Sequence, residues 1–396
     1  MHPSLANGET RLDLWLRVRE FAVPPPMIET STARRLAGDW AGACAAARVD
    51  VDLNLRRLAR LRGPDIAARV RADLRHLAPD LLRWHLPRIG PDGLLRPGLT
   101  VTLARYDAEL HLVARTPPAW AAGGQRFSLA LWDGTGGGPH PDRYFRLDLH
   151  RHLWDARRAG ELRARARPDW AAEAALLRTE GAAFLRLKGA ALLRTEGPVL
   201  VRAAGRRLLL DPRTGATRPA RTRDGRVPVL PHASTYPAPD LELLEAGAID
   251  PGALHPLVAE ALAPGSVPPP GPQPGAATRI VECRGAEHRI ALVDGVLTAL
   301  DHDPAQLRRE ELLVALGGPP LPCLRAIDLV HRRPERLDDI RARLDHGDAA
   351  GALAAVESLL GPNALLRAGA LREALEAAAR QRILHGLFRN GLTPTR

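Results

Sequence analysis

The chain has 396 residues, 45% of them hydrophobic and 4% aromatic, and this composition excludes an intrinsically disordered protein. Its formal net charge is +11, and arginine supplies all but one of its 56 basic side chains. Three widely spaced cysteines exclude a disulfide framework. Because the sequence has neither a run of about 18 apolar residues nor an apolar leader, we expect a cytoplasmic protein with no membrane association.

The sequence predicts an α+β protein whose first domain, residues 1–95, is a helical bundle preceded by a short strand. Residues 10–22 alternate between apolar and charged side chains, which favours that strand. Gly38 and Asp39 then predict a helix hairpin, because glycine suits the end of one helix and aspartate caps the next. Further helices are expected between residues 54 and 87 from their apolar periodicity.

Residues 96–262 form the predicted central domain, which is rich in antiparallel β-structure and basic. Alternating segments between proline and glycine turns predict strands at Leu99–Arg105, Glu109–Ala114, Arg126–Trp132 and Arg143–Leu149.

Within residues 174–215, glycine recurs every eight residues at Gly181, Gly189, Gly197 and Gly205. Eight residues make about 2.2 helical turns, so no constant apolar helix face results. The repeat therefore favours a glycine-punctuated meander, and a duplicated stretch of helix and loop is the alternative. Its predicted strands are Ala175–Arg178, Ala183–Leu187, Ala191–Arg194, Val199–Arg202 and Arg207–Leu210.

The last part of the chain is predicted to be a separate domain. Residues 263–278 are dense in proline and glycine and predict a linker, and the C-terminal domain is 279–396. It is expected to combine a small β-meander, joined through a hairpin at Asp294 and Gly295, with helices. Residues 344–361 resemble the helix-turn-helix of tetratricopeptide-type repeats, which implies a helix hairpin.

The sequence pattern also predicts the other strands and helices of this domain. They are the strands Arg279–Cys283, His288–Val293, Val296–Ala299 and Cys323–Val330, and the helices Pro304–Leu316, Pro334–Leu344, Ala349–Leu360, Ala364–Ala379 and Arg382–Phe388.

The positive charge is concentrated in residues 151–226, which contain 18 basic and 8 acidic side chains. Such a concentration favours a polyanion or an acidic partner, although arginines that merely cover a leucine-rich core are the alternative. The residues predicted to bind nucleic acid or another anion are Arg151, Arg157, Arg158, Arg163, Arg165, Arg178, Arg186, Arg194, Arg202, Arg206 and Arg207.

The sequence contains no GxSxG, HExxH, P-loop or strand-associated GxGxxG motif, so we expect no catalytic residues and no cofactor. The sequence favours a non-enzymatic adaptor whose basic central surface docks an acidic protein partner. One alternative is a nucleic-acid-binding protein that uses the arginines of 151–226. Another is a metal-dependent enzyme around His150 and His152, whose imidazoles would share one strand face with Asp148.

Overall fold

The computed structural model describes residues 11–107, 109–134, 139–187, 197–203, 205–221, 227–266, 279–283, 285–293, 296–299, 301–315, 321–322, 334–360 and 369–392. The protein is α+β, as predicted, with helices and several small sheets. The chain forms two compact units. Unit 1 contains Met1–Pro269 and Leu384–Arg396, and unit 2 contains Pro270–Ile383, so the chain first passes between them inside the predicted linker.

Helices fill the N-terminal part of unit 1. They are α1 (Arg11–Arg17), α2 (Pro25–Leu36), α3 (Trp40–Ala46), α4 (Leu55–Arg62), α5 (Pro64–His76) and α6 (Pro79–His85). Asp39 caps α3 as predicted, because its Oδ1 accepts a hydrogen bond of 2.8 Å from the backbone N of Gly42.

The predicted N-terminal strand is wrong, because α1 and a π-helical turn at Val18–Ala22 occupy those residues. Leu14 and Val18 are both buried there. They are four residues apart, and residues four apart share one helix face, so a helix buries this pair as well as a strand would.

A four-stranded sheet follows the helices. The strands of this part of the chain are β1 (Val49–Asp52), β2 (Arg88–Ile89), β3 (Leu94–Leu95), β4 (Thr100–Arg105), β5 (His111–Arg115) and β6 (Phe127–Trp132). The sheet order is β1-β6-β5-β4, with β1 parallel to β6 and the other pairs antiparallel, while β2 and β3 form a separate ladder. The three strands predicted at β4, β5 and β6 are confirmed.

The strand predicted at Arg143–Leu149 is wrong. Asp142 instead forms a turn, since its Oδ1 accepts hydrogen bonds from the backbone N of Tyr144 at 2.7 Å and of Phe145 at 2.9 Å. A side chain that accepts hydrogen bonds from the backbone N–H groups two and three residues later competes with strand pairing.

The glycine repeat forms helix first and strand afterwards. After α7 (Leu162–Arg165), helix α8 (Trp170–Leu187) covers the first two predicted strands, so the meander is wrong there. Alanine and leucine dominate α8, and their helix propensity offsets the roughly 1 kcal/mol cost of an internal glycine. The third predicted strand, Ala191–Arg194, lies outside the described residues.

The last two strands of the repeat are confirmed as a hairpin of β7 (Val199–Ala203) and β8 (Arg206–Leu210), which β9 (Thr217–Pro219) extends. At its turn Gly205 has a φ of +73°, a conformation that favours glycine. Helices α9 (Pro239–Glu245) and α10 (Pro256–Leu262) follow. The main core of unit 1 joins residues on both sides of position 95, including Leu82, Phe127 and Leu243.

Unit 2 contains an antiparallel sheet of three strands in sequence order, as predicted. Its strands are β10 (Arg279–Cys283), β11 (Ala286–Val293) and β12 (Val296–Ala299), and its helices are α11 (Pro304–Ala315), α12 (Pro334–Asp345), α13 (Ala349–Leu360) and α14 (Ala370–Arg389). Helices α12 and α13 form the predicted hairpin.

Two further predictions for the C-terminal region have different outcomes. The two helices predicted after residue 364 are one, α14, and its residues from Leu384 onward belong to unit 1. The strand predicted at Cys323–Val330 lies outside the described residues. In the described part of the chain, no helix combines the length and the apolar character that crossing a membrane requires.

Candidate functional site

Unit 1 contains a cavity of about 610 Å³, within the range of about 300–1,000 Å³ that is typical of small-molecule sites. It lies between α1, the end of α6, the loop after residue 142, α7, the β7–β8 hairpin and the segment before α9. Its basic lining residues are Arg11, Arg88, Arg96, Arg146, Arg165, Arg202, Arg206 and Arg207. Among the described residues that line it, none is Asp or Glu.

Three of these arginines are held by carboxylates behind the cavity wall. Arg11 Nε lies 2.8 Å from Glu242 Oε2, and Arg165 Nη2 lies 2.7 Å from Glu173 Oε1. Arg146 Nη2 lies 2.5 Å from Asp148. These ion pairs fix the three guanidinium groups and balance their charge.

We call the other five the cavity arginines: Arg88, Arg96, Arg202, Arg206 and Arg207. Within the described part of the chain, no carboxylate lies within ion-pair distance of any of them. Backbone carbonyl groups take the place of a carboxylate at one of them, as Arg88 donates to the carbonyl oxygens of Gly93 at 2.8 Å and Arg83 at 2.6 Å. Burial lowers the pKa of Arg88 to about 9, because removal from water disfavours the charged guanidinium.

Two cavity arginines also carry a buried donor with no hydrogen-bond acceptor. The Nε atoms of Arg88 and Arg96 are both buried and unpaired in the described structure. A buried donor without an acceptor costs about 1–3 kcal/mol, and more when it is charged. An acceptor that enters the cavity would remove part of this cost.

The hairpin places two cavity arginines directly opposite each other. Arg202 on β7 is the cross-strand neighbour of Arg207 on β8, and Arg206 is the next residue. Like charges at directly opposed positions of a sheet destabilise it. The hairpin therefore gathers positive charge at the cavity without an internal compensation.

Four rings form one side of the cavity, which we call the aromatic wall: Tyr144, Phe145, His232 and Tyr236. The centroids of neighbouring rings are 4.9–5.3 Å apart, from Tyr144 to Phe145, from each of these to His232, and from His232 to Tyr236. All four residues are only partly buried, so the wall is continuous and accessible from the cavity.

Arginines lie over three rings of the aromatic wall. Arg96 Cζ is 5.4 Å from the Phe145 centroid, and Arg202 Cζ is 5.3 Å from that of Tyr144. Arg11 Cζ is 4.9 Å from the ring centroid of Tyr236. Cation–π contacts of this kind hold a guanidinium flat against a ring while its N–H edges stay available.

Two histidines of the cavity wall are neutral at physiological pH. Burial, with smaller contributions from His255 and Arg88, lowers the pKa of His85 to about 3. Burial, reinforced by His150, also lowers the pKa of His152 well below the ordinary value. The Nε2 atom of His85 is buried without a partner in the described structure. These two imidazoles therefore add no positive charge to that of the arginines.

Among the arginines predicted to bind an anion, Arg151 and Arg157 are instead held in ion pairs. Their guanidinium groups converge on Asp73 and Asp155, with Nη2 of Arg151 2.7 Å from Asp155 Oδ2 and Nη2 of Arg157 2.6 Å from Asp73 Oδ1. We call these four residues the paired cluster. Both carboxylates are buried, so the cluster joins α5 to the segment after residue 150.

The remaining predicted arginines divide between the cavity and other surroundings. Arg158 pairs with Glu161, Arg178 donates to the carbonyl oxygen of Gly197, and Arg163 is exposed. The side chain of Arg186 and the whole of Arg194 lie outside the described residues. The structure brings together the other four at the cavity: Arg165, Arg202, Arg206 and Arg207.

Sequence reasoning missed the rest of the site, which is Arg11, Arg88, Arg96, Arg146 and the aromatic wall. These residues come from distant segments of unremarkable local composition. The neighbouring residues Tyr144, Phe145 and Arg146 were the one local signal, because they combine two aromatic rings with a cation.

The metal hypothesis loses the shared strand face on which it was based. Residues Arg151–Leu153 form a 3-10 helix, and His150 Nε2 lies 3.1 Å from Glu173 Oε2. Asp148 is engaged by Arg146 and by Arg105, whose Nε lies 2.9 Å away. In the described residues, no group of three or more His, Cys, Asp or Glu side chains is placed to hold a metal ion.

Chemically, the cavity offers cationic hydrogen-bond donors, aromatic faces and neutral imidazoles. Comparison of the chain with protein-family models, with curated proteins and with solved structures found no match.

Proposed function

We propose that the protein binds a small organic anion with phosphate-type groups in the cavity of unit 1. The observation that carries this proposal is a cavity lined by eight arginines and, among its described lining residues, by no carboxylate. Guanidinium groups present N–H donors in a planar fork that matches phosphate and carboxylate oxygens. The cavity is thus complementary to an anion in both charge and hydrogen bonding.

The cavity arginines explain why an anion would be favourable there. Arg88 and Arg96 each have a buried, unpaired Nε, and Arg202 faces Arg207 across the hairpin. An anion placed among them supplies the missing acceptors and offsets the repulsion. A hydrogen bond to a charged group contributes about 1.5–3 kcal/mol, so three such contacts contribute about 4.5–9 kcal/mol, and micromolar binding corresponds to about 8 kcal/mol.

The proposal differs from the adaptor hypothesis, in which the basic surface docks an acidic protein and not a small anion. A concave site of this size suits a small ligand better than it suits a protein partner, because a stable protein interface buries a broad surface of about 800 Å² per partner. Docking of an acidic protein stays a prediction.

Nucleic-acid binding is the second candidate, and one observation favours it. The arginines of the hairpin, Arg202, Arg206 and Arg207, are exposed beside the aromatic wall. Exposed cations next to aromatic rings are typical of sites for single-stranded nucleic acid, where phosphates meet arginine and bases stack.

Calorimetric titration of the full chain with pyrophosphate tests the proposal. We expect saturable binding at about 0.05 M salt that weakens at about 0.2 M salt, because the contacts are ionic. The triple variant Arg202→Gln/Arg206→Gln/Arg207→Gln should lose about tenfold or more in affinity.

The matched control is Arg56→Gln/Arg57→Gln/Arg60→Gln, which removes the same charge from exposed positions of α4. We expect this control to keep nearly the full affinity. Absence of pyrophosphate binding at low salt, or equal losses in both triple variants, would contradict a specific anion site.

A further inference from the structure

We infer that the anion is a phosphorylated nucleoside, whose planar base stacks in the aromatic wall and whose phosphate binds the arginines of the hairpin. This inference rests on the proposed function and adds the identity of the ligand class. It follows from what the cavity contains besides positive charge.

The aromatic wall is the first observation. A site for inorganic phosphate or a ringless polyphosphate needs cations, and it gains nothing from four contiguous, partly exposed rings. Here Tyr144, Phe145, His232 and Tyr236 form one continuous row inside the cavity. Aromatic rings prefer offset-stacked or edge-to-face partners, and a base can adopt either arrangement. The wall therefore favours a ligand that has a ring of its own.

The second observation is how the cations and the rings are combined. Arg96 lies over Phe145 and Arg202 lies over Tyr144, so two cavity arginines are attached to the wall itself. A guanidinium held in this way offers a flat face to a base and N–H edges to a phosphate. Each pair of arginine and ring therefore places a stacking surface for a base next to hydrogen-bond donors for a phosphate.

Tyr144 helps to position this arrangement. Its hydroxyl donates a hydrogen bond of 3.0 Å to the backbone carbonyl oxygen of Arg202, and burial raises the pKa of Tyr144 to about 12. The hydroxyl thus stays protonated at neutral pH and keeps this bond. The loop that carries Tyr144 is tied to the β7–β8 hairpin in consequence.

Neutral imidazoles provide the third observation. His85 and His152 line the cavity, and both are uncharged because burial lowers the pKa of each. A neutral imidazole carries one donor and one acceptor, which suits the polar edge of a base better than it suits an anion. The unpaired Nε2 of His85 is available for such a bond.

The same chemistry can come from a free mononucleotide or from the phosphorylated end of a nucleic-acid strand. Both present one base and one phosphate to the cavity. The exposed position of Arg206 and Arg207 is compatible with either source.

Calorimetric titration of the full chain tests whether the ligand carries a planar base. The three probes are adenosine 5′-monophosphate, ribose 5-phosphate and pyrophosphate. We expect adenosine 5′-monophosphate to bind about tenfold or more tightly than ribose 5-phosphate, because stacking adds to phosphate binding. If the affinities for adenosine 5′-monophosphate and ribose 5-phosphate were within about threefold of each other, the inference would be overturned. Binding of pyrophosphate in the same experiment would leave the proposed function intact. No binding of any probe would overturn both.

A ring variant and its control make the test specific. Phe145→Leu should reduce the preference for adenosine 5′-monophosphate over ribose 5-phosphate by about fivefold or more. Phe388→Leu is the control, since Phe388 lies outside the cavity. If Phe145→Leu does not fold, Tyr236→Leu replaces it. A folded ring variant with an unchanged preference would overturn the inference.

The same titration with a 5′-phosphorylated trinucleotide distinguishes the two sources. Tighter binding than that of the mononucleotide supports a strand end, and weaker binding supports a free nucleotide. Equal affinities for the trinucleotide with and without its phosphate would overturn the placement of the phosphate on the hairpin.

Discussion

The paired cluster and the cavity arginines place the same type of side chain in opposite electrostatic surroundings. In the paired cluster, Arg151 and Arg157 share two buried carboxylates, Asp73 and Asp155. In the cavity, Arg88 and Arg96 have backbone and aromatic neighbours, and no described carboxylate is in range. The first arrangement stabilises the fold, and the second leaves positive charge for a ligand.

Arginine density along the sequence therefore does not by itself indicate a binding surface. Asp73 precedes Arg151 by 78 positions, so one of the two carboxylates that pair with this arginine is supplied by a distant helix. The other, Asp155, is only four residues away. A guanidinium with such a partner has its donors and its charge satisfied. One without a partner retains both for an incoming anion.

Removing a carboxylate from the paired cluster should have the largest effect on stability. Asp155→Asn keeps the shape of the side chain but leaves Arg151 and Arg157 with a weaker acceptor at a fully buried position. We expect the free energy of unfolding to fall by about 2–3 kcal/mol, as measured by urea denaturation. A loss below about 0.5 kcal/mol would show that the cluster does not stabilise the fold.

Acid should destabilise the cavity wall through His85. Because burial lowers the pKa of His85 to about 3, the unfolded chain binds a proton that the folded chain does not, from the ordinary pKa of about 6.5 down to that value. The contribution of His85 to the free energy of unfolding is therefore fully present above about pH 6.5. It declines as the pH falls, by up to about 1.4 kcal/mol per pH unit.

The measurement for His85 is urea denaturation at several pH values between about 6.5 and 4. The free energy of unfolding should depend less steeply on pH in His85→Gln than in the wild-type protein. The difference corresponds to up to one proton fewer taken up on unfolding. Identical slopes in the two proteins would contradict the assignment of this acid sensitivity to His85.

Arg96→Gln and Arg151→Gln should separate binding from stability. Arg96→Gln removes an unpaired cation from the cavity, so we expect about a tenfold loss of pyrophosphate affinity with little change in unfolding free energy. Arg151→Gln, in the paired cluster, should lower stability by about 1–2 kcal/mol and leave affinity unchanged. Calorimetry and urea denaturation of both variants check this, and the reverse result would refute the comparison.

The smallest effect is expected at Arg158, which belongs to neither group. Its side chain is 53% exposed, and its partner Glu161 is only partly buried. Exposed ion pairs contribute little, so Arg158→Gln should change the unfolding free energy by less than about 0.5 kcal/mol and leave ligand affinity unchanged. A larger destabilisation would mean that surface pairs in this segment also support the fold.

Local patterns were sufficient for much of the architecture. The Gly38–Asp39 hairpin, the strands β4, β5 and β6, the β7–β8 hairpin and the sheet of unit 2 all appear where the sequence predicts them. In each of these the signal is contained in a few neighbouring residues, as a cap, an alternation or a turn. Residues 10–22 were misassigned because the spacing of their apolar residues fits both helix and strand. The first half of the glycine repeat was misassigned because the helix propensity of its alanines and leucines is stronger than the signal of the spacing.

The sequence by itself therefore determined the α+β class, the positive charge and most element positions, because these follow from composition and short-range periodicity. Only the tertiary structure decided which arginines surround a cavity and which meet a carboxylate from a distant segment, as Arg151 and Arg157 meet Asp73, because these contacts form only on folding. The aromatic wall was decided in the same way, since Tyr144 and Phe145 meet His232 and Tyr236 only after folding.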